Sequence, residues 1–595
     1  MILAAGAGSR LGGLTKTVPK PLVPVAGLPL LDRTLRELAH VGVRDVVLVV
    51  GHLAERIEEA LGARRHGIRI TYVVSDLYAT ASDIHSAWLA REHLDHDLYF
   101  IEGDIAFTSE LPARLAAAGE SAVAVTDYDP DLRNMIALLD HDRRVLSMLG
   151  EYDNDFSGGQ PATTISVYSL RRPLLEPFAA ELDRFIHEGR YDAGFEDALS
   201  ATIARGHTLL AVGCGDLTWQ EIDDLDDRLI ADYRFAPPGD RGRLVASDRG
   251  GPWRRLLTDH SYARNTEFPS PEVVEHLSRD LFESMTQRPA GPRTLSELAA
   301  SAAGEAPEAI AVGAGRADVL VAAAAVRPGA VLGPAWLHQD LAETLTHRLE
   351  DASTGLERLE EPEDVDRIVA LTARIAPSIF VLEAVAANHV FAARLAAVHE
   401  LAERLLVEGT LLVLDVTFVP FTDANDRDEL GALLDHPNVA LLVDVGDRTG
   451  FVGIRSTFLV VRDLSLAGAV RERLTPSRVS TAGEALVRLL PRRRAELAQS
   501  YRATREAALA LARRLRSVPG IALREPVGLT LMCRLEAESD AARLAEALLA
   551  KHGIAVEPAR AELAAGTPTW VRLVSCGRGR DGGLVEALTD LEGAS

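Results

Sequence analysis

The chain has 595 residues, enough for two to four domains at roughly 150 residues each. Asp and Glu number 87 against 63 Lys and Arg, a net charge of −24 that argues against a large nucleic-acid or anionic-membrane surface. The three cysteines (Cys214, Cys533 and Cys576) are far apart, which argues against a disulfide scaffold and a Cys-ligated zinc site. No apolar run reaches the ~20 residues that span a bilayer, and the first residues lack the basic start and long apolar core of a secretion signal. An intracellular, cytoplasmic, multi-domain protein is expected, without nucleic-acid or membrane partners.

In chain order, Met1–Ala5 reads as an apolar strand running into a Gly-rich turn. Asp45–Val50, Ile68–Val74 and Leu98–Glu102 read as strands, with helices at Leu53–Leu61 and Ile84–His93 between them. Such alternation predicts a mostly parallel sheet covered on both faces, with ligands at the carboxyl ends of its strands. Arg234 to Arg254 is rich in Pro, Gly and charge, the composition of a linker. The expected division is therefore residues 1–232, a linker at 233–257, and residues 258–595. The last of these starts a second α/β pattern. Strands are expected at Ala309–Val312, Leu411–Asp415, Leu529–Leu535 and Thr569–Val574. Long helices are expected at Ala392–Leu406 and Arg494–Ser517.

The first strand leads into Leu3-Ala4-Ala5-Gly6-Ala7-Gly8-Ser9-Arg10-Leu11. Small residues let successive backbone N–H groups converge on phosphate oxygens, and Arg10 adds a permanently charged donor fork. Lys20 follows between Pro19 and Pro21, which restrict its backbone. The chain has three lysines, Lys16, Lys20 and Lys551, so two of the three fall beside this loop. Glu102-Gly103-Asp104 ends a strand, and Trp219-Gln220-Glu221-Ile222-Asp223-Asp224 supplies further carboxylates. Two separated carboxylates plus triphosphate oxygens suit Mg²⁺. Each residue also has a plainer reading. Lys20 can be a surface cation, Asp104 a turn residue, and Asp223 the cap of a helix starting at Asp224.

The segments LAAGAGSRL at 3–11, PKPLVPVAG at 19–27, EGD at 102–104 and WQEIDD at 219–224 together resemble the sugar-phosphate nucleotidyltransferase superfamily. Within it, they look most like the cytidylyltransferases that activate phosphocholine or 2-aminoethylphosphonate. The resemblance implies a Rossmann-like α/β domain in which Leu3, Ala4, Ala5, Gly6, Gly8, Ser9, Arg10 and Lys20 bind CTP. It implies catalytic roles for Arg10 and Lys20, and Mg²⁺ on Asp104 and Asp223. The implied reaction is in-line attack of a phosphate or phosphonate oxygen on the α-phosphorus, with loss of pyrophosphate. Relatives of this type usually carry three or four more apolar residues before LAAG, so a short first strand is expected. Their Thr-Asn-Asn-Ile-Tyr-Ser segment is Ala81-Ser82-Asp83-Ile84-His85-Ser86 here. A carboxylate at Asp83 favours a primary ammonium over a quaternary one, which prefers aromatic faces. That points to 2-aminoethylphosphonate, with phosphocholine as the alternative acceptor. Asp83 can equally cap the helix that begins at Ile84. Tyr78, Trp88 and Trp219 are candidates for an aromatic wall, or for the core.

From about residue 258, DHSYARNTEFPSPEVVEHL at 259–277, VGAGRADVL at 312–320, LLVLDVTF at 411–418, GFVGIR at 450–455 and WVRLVS at 570–575 look like the class I/II aminotransferases that use pyridoxal phosphate (PLP). The resemblance implies a second PLP-transferase-like α/β domain, which in this fold usually pairs as a homodimer. It also matches Asp415 to the residue that pairs with the pyridine nitrogen. Arg455 matches a cofactor-phosphate contact, and Arg572 a clamp for a substrate carboxylate. The family's Schiff-base lysine falls on Asp447, the expected tyrosine is Phe418, and the family's Asn-Pro loop has no counterpart near Glu383–His389. Lys551, at a helix end, is in the wrong place to replace it. Since the chemistry needs that amine, PLP is not expected. The second domain reads as a pseudo-transaminase kept for dimerisation or ligand binding, and a bifunctional enzyme is the alternative. Arg455 and Arg572 can also be structural ion-pair residues.

Overall fold

A computed structural model describes the chain except for residues 131, 133, 151–154, 248–249, 335–355, 360–364, 387–392, 423–426, 476–478, 537, 539, 560–568, 578 and 594–595. The chain divides into two compact units, residues 1–255 and 256–595.

The first unit is built on a ten-stranded sheet. Its centre is parallel: Ile2–Ala4 lies between Asp45–Val50 and Leu98–Glu102, and Ile68–Val74 pairs with Asp45–Val50. These strands read as nearly continuous Val/Ile/Leu runs because both faces are covered. Ile2, Leu48 and Ile101 have no exposed surface. The expected parallel sheet is only half of the whole. Gln160–Leu170 runs antiparallel to Leu98–Glu102, to Ala122–Asp127 and to Ile136–Leu139. A mixed sheet arises because this long strand enters without a crossover helix of its own. The first strand, Ile2–Ala4, is three residues long.

The stretch expected to be a linker is largely helical. Leu225–Phe235 and Pro238–Ser247 are helices, the second opening on a proline, a residue whose fixed φ suits the first turn. The Pro/Gly composition marked helix boundaries rather than irregular chain.

The second unit carries a seven-stranded sheet. Val331–Pro334, Ile379–Glu383, Leu411–Asp415 and Val439–Asp444 are parallel, and Thr457–Val461 runs antiparallel beside the last of these. A four-stranded antiparallel sheet follows, containing Thr530–Leu535 and Val571–Val574. The 23-residue helix Arg494–Arg516 and the helix Leu395–Val407 lie close to their expected ranges. Among the described residues, no helix is long and apolar enough to cross a membrane.

Candidate active site

A cavity of about 170 Å³ opens at the carboxyl ends of Ile2–Ala4 and Leu98–Glu102. It is lined by Leu3, Ala4, Gly6, Gly8, Ser9, Arg10, Lys20, Pro21, Gly103, Asp104 and Asp223. Every expected nucleotide-binding residue lines it except Ala5, whose carbonyl accepts the His52 N–H at 3.0 Å. Two glycines are required by space. Gly8 has φ +61°, and a Cβ there would stand 2.8 Å from the Lys20 Cβ. A Cβ on Gly103 would stand 2.7 Å from the Leu3 carbonyl oxygen. The loop therefore packs backbone-first against Lys20 and against the neighbouring strand end.

Lys20 Nζ donates to Asp104 Oδ2 at 2.7 Å and to Asp223 Oδ1 at 2.9 Å. Burial opposes its charge, but the two carboxylates outweigh burial and hold the ammonium above its ordinary range. Arg10, itself half exposed, reaches the same Asp223 oxygen at 2.9 Å. Lys20 is thus no surface lysine. Nor does Asp223 cap the following helix, because Asp224 does so, in a reciprocal pair with Asp227. Asp223 reaches Asp104 because Trp219–Glu221 pairs antiparallel with Ile105–Phe107, and the Ile222 N–H bonds the Asp104 carbonyl.

Beneath Asp104 lies a set of carboxylates. One oxygen from each of Glu102, Asp104 and Glu221 lies within 4.8 Å of the others. Asp104 Oδ1 is buried and has no partner among the described residues. Glu221 accepts from Asn134 Nδ2, and the Tyr168 hydroxyl donates to Glu196 at 3.5 Å. Burial first, and then their neighbours' negative charge, pushes Glu102, Glu196 and Glu221 well above the usual carboxylate range. Glu102 and Glu221 were not assigned roles from the sequence. A signal was available: each Glu ends its strand two residues before an expected metal ligand, Asp104 or Asp223.

The expected acceptor residues do not gather in one place. Asp83 begins the helix Asp83–Leu89 but does not cap it. Its Oδ1 accepts the Phe195 N–H at 2.9 Å, at the start of another helix, Phe195–Ala204. Burial pushes its carboxyl up to about 6, with the charge of Asp104 adding to that. Tyr78 lies elsewhere, 37% exposed, against Gly51 and with its ring 6.0 Å from that of His52. Trp219 corrects the expectation of an aromatic wall. It is buried in the core under the Arg234 guanidinium, because it belongs to the ribbon with Phe107.

In the second unit, Asp415 and Asp447 are brought together by a residue the sequence reading had not singled out. Arg316 Nε donates to Asp415 Oδ2 and its Nη1 to Asp447 Oδ2, each at 2.7 Å, and Asp444 Oδ2 lies 3.6 Å from that Nη1. The Tyr262 hydroxyl donates to Asp447 Oδ1 at 2.7 Å. Arg572 is buried and paired with Glu557, whereas Arg455 is exposed. Residues 387–389, part of the stretch compared with the family's Asn-Pro loop, lie outside the described residues.

Residues 1–181 match the MobA-like NTP transferase domain. The whole chain is 33% identical to the CMP-5'-(3-aminopropyl)phosphonate synthase of Streptomyces rubellomurinus, covering 100% of this chain and 95% of that one. The 2-aminoethylphosphonate cytidylyltransferase of Lancefieldella rimae is 27% identical over 38% of this chain and 87% of its own. Histidinol-phosphate aminotransferase from Sinorhizobium meliloti aligns with 57% of this chain and 94% of its own, at 17% identity and a TM-score of 0.50, a likeness of fold alone. With a MobA-like domain followed by an aminotransferase-like one, the chain is a nucleotidyltransferase and belongs to the family of the CMP-5'-(3-aminopropyl)phosphonate synthase.

Proposed function

We propose that the protein is a cytidylyltransferase that joins CMP from CTP to a small ω-aminoalkylphosphonate and releases pyrophosphate. The observation that carries this reading is the juxtaposition of donors and acids around Asp104. The Gly6–Arg10 loop and Lys20 line the cavity with donors beside Asp104 and Asp223, and the buried acids Asp83, Glu196 and Glu221 cluster around Glu102 behind Asp104. A zwitterion with a phosphonate at one end and an ammonium at the other is complementary to that pair. The relatives named as a CMP-5'-(3-aminopropyl)phosphonate synthase and a 2-aminoethylphosphonate cytidylyltransferase support the same chemical class. Phosphocholine is the weaker candidate, because Trp219 is packed away from the cavity and a quaternary ammonium has no N–H to donate.

In this reading the loop N–H groups hold the triphosphate, and Arg10 and Lys20 stabilise the charge that gathers on the α-phosphoryl oxygens. A phosphonate oxygen is already anionic at neutral pH, so positioning rather than a general base drives the attack. Mg²⁺ fits the donor set, because Asp104 offers a buried unpartnered oxygen among hard carboxylate ligands. Asp104 would hold it, with Asp223 or with Glu102 and Glu221, and bound metal would neutralise the triphosphate and the leaving pyrophosphate. In the second unit PLP does not fit, because Asp447 stands at the aldimine position with its carboxylate already bonded by Arg316 and Tyr262. That unit is read as a non-catalytic homodimerisation or ligand-binding module, which sedimentation of the full chain would test. Pyrophosphate release with CTP, UTP, ATP and GTP, each against aminoalkylphosphonates and phosphocholine, tests the main reading. Turnover confined to phosphocholine or to another nucleotide would refute it.

A further inference from the structure

We infer that Arg316 is a built-in cation that fills the strand-end site of the second unit and replaces a bound cofactor with a side chain of the protein itself. The inference deepens the reading of that unit as a non-catalytic module. Arg316 is the first residue of the helix Arg316–Val326, so its side chain leaves the helix start toward the carboxyl ends of Leu411–Asp415 and Val439–Asp444. Its Nε and Nη1 take a separate carboxylate each, Asp415 and Asp447, with Asp444 behind. The carboxylates are themselves oriented. The Thr417 N–H bonds Asp415 Oδ1, Thr457 bonds Asp444 Oδ2, and Tyr262 holds the far oxygen of Asp447. The side chains of Arg316, Asp415 and Asp447 are 12%, 4% and 6% exposed, so each depends on the others for its charge to remain buried. A planar guanidinium suits this geometry because it donates along two edges at once and cannot lose its proton. The sequence change goes beyond a missing lysine. Asp447 brings an acid to that position, and Arg316 brings the cation that compensates it.

The test uses the full chain and its thermal unfolding. Arg316→Ala leaves three facing carboxylates, and its melting temperature should fall by roughly 5 °C or more. Guanidinium chloride at a few millimolar should restore much of that loss in the variant and do nothing for the wild type, with NaCl at equal ionic strength ineffective. If Arg316→Ala does not fold, the triple variant R316M/D415N/D447N, which removes charge from both sides, should fold. A melting temperature equal to wild type for Arg316→Ala, no advantage of guanidinium over NaCl, or an unfolded triple variant would overturn the inference. Equilibrium dialysis of wild type against PLP separates this from the broader reading. Stoichiometric PLP binding by wild type would defeat the non-catalytic assignment itself, whereas no binding together with a silent Arg316→Ala defeats only the inference.

Discussion

Lys20 Nζ sits 2.7 Å from Asp104 Oδ2, a contact between residues 84 positions apart that ties the segment after the Gly-rich loop to a strand end. The same ammonium holds Asp223, so one cation governs the spacing of both acids. Replacing it with Met should lower turnover by about 100- to 1,000-fold, the cost of losing a group aimed at developing charge. The melting temperature should also fall by a few degrees, because Asp104 and Asp223 lose the cation between them. Steady-state pyrophosphate release alongside thermal unfolding checks both parts, and a variant that keeps wild-type turnover would remove Lys20 from catalysis.

Gly8→Ala probes the loop by space alone. The new methyl group would press on Lys20 Cβ at 2.8 Å, in a backbone conformation that costs an L-residue roughly 1–2 kcal/mol. The expected result is a folded protein with turnover reduced by about tenfold or more, because a sub-ångström shift of Lys20 disturbs the reacting geometry. CTP turnover and a melting curve on the same preparation measure it. An active variant of ordinary stability would show that the loop does not set the position of Lys20.

Asp83→Asn separates capping from recognition. An amide oxygen can still accept the Phe195 N–H, so the helix start is preserved. The native carboxyl is raised from 3.8 to about 6, so its contribution to stability is largest below about 3.8 and is lost as pH rises through about 6. The variant should therefore match or exceed wild-type stability at pH 7.5 and show a flatter stability profile between pH 4 and 6. If Asp83 receives the substrate ammonium, KM for the aminoalkylphosphonate should rise roughly tenfold or more, as for loss of a hydrogen bond to a charged group. Unchanged KM would leave Asp83 as an acceptor for the first N–H of Phe195–Ala204 and nothing more.

Much of the site could be read from the sequence because its parts are short and contiguous. Leu3–Leu11 is a strand followed by a loop of small residues, and Lys20 stands in a chain with almost no other lysine. Glu102 and Glu221 are less legible, because each is the last residue of its strand and the approach of Glu221 to Asp104 depends on the pairing of Trp219–Glu221 with Ile105–Phe107. Trp219 was misplaced for a different reason. Whether an aromatic faces a cavity or the core depends on a pairing with residues more than one hundred positions earlier, which no local pattern reveals. Arg316 was missed on the same ground. Within VGAGRADVL it is one arginine among 60, and its partners lie 99 and 131 residues away.

Glu383 gives the second unit a measurable pH dependence. It lies beside Asp415 in the sheet, and its Oε2 has no partner among the described residues. Burial, reinforced by the charge of Asp415, pushes its carboxyl from 4.5 up to about 8. The folded state therefore holds its proton more tightly than the unfolded state. The stability it confers is present below about 4.5 and is lost as pH rises through about 8. Glu383→Gln should gain on wild type by roughly 1 kcal/mol per pH unit across that window. Urea unfolding at pH 5, 7 and 9 would show the gain, and parallel profiles for the two proteins would contradict the raised carboxyl.

The most direct test of the central claim is pyrophosphate release from CTP with Mg²⁺ and 2-aminoethyl- or 3-aminopropylphosphonate, run beside Asp104→Ala. The account predicts turnover with CTP and an aminoalkylphosphonate, formation of the CMP-linked product, and loss of at least about 100-fold in the variant. Turnover that survives in Asp104→Ala, or a wild-type enzyme that accepts phosphocholine while rejecting both aminophosphonates, would contradict it.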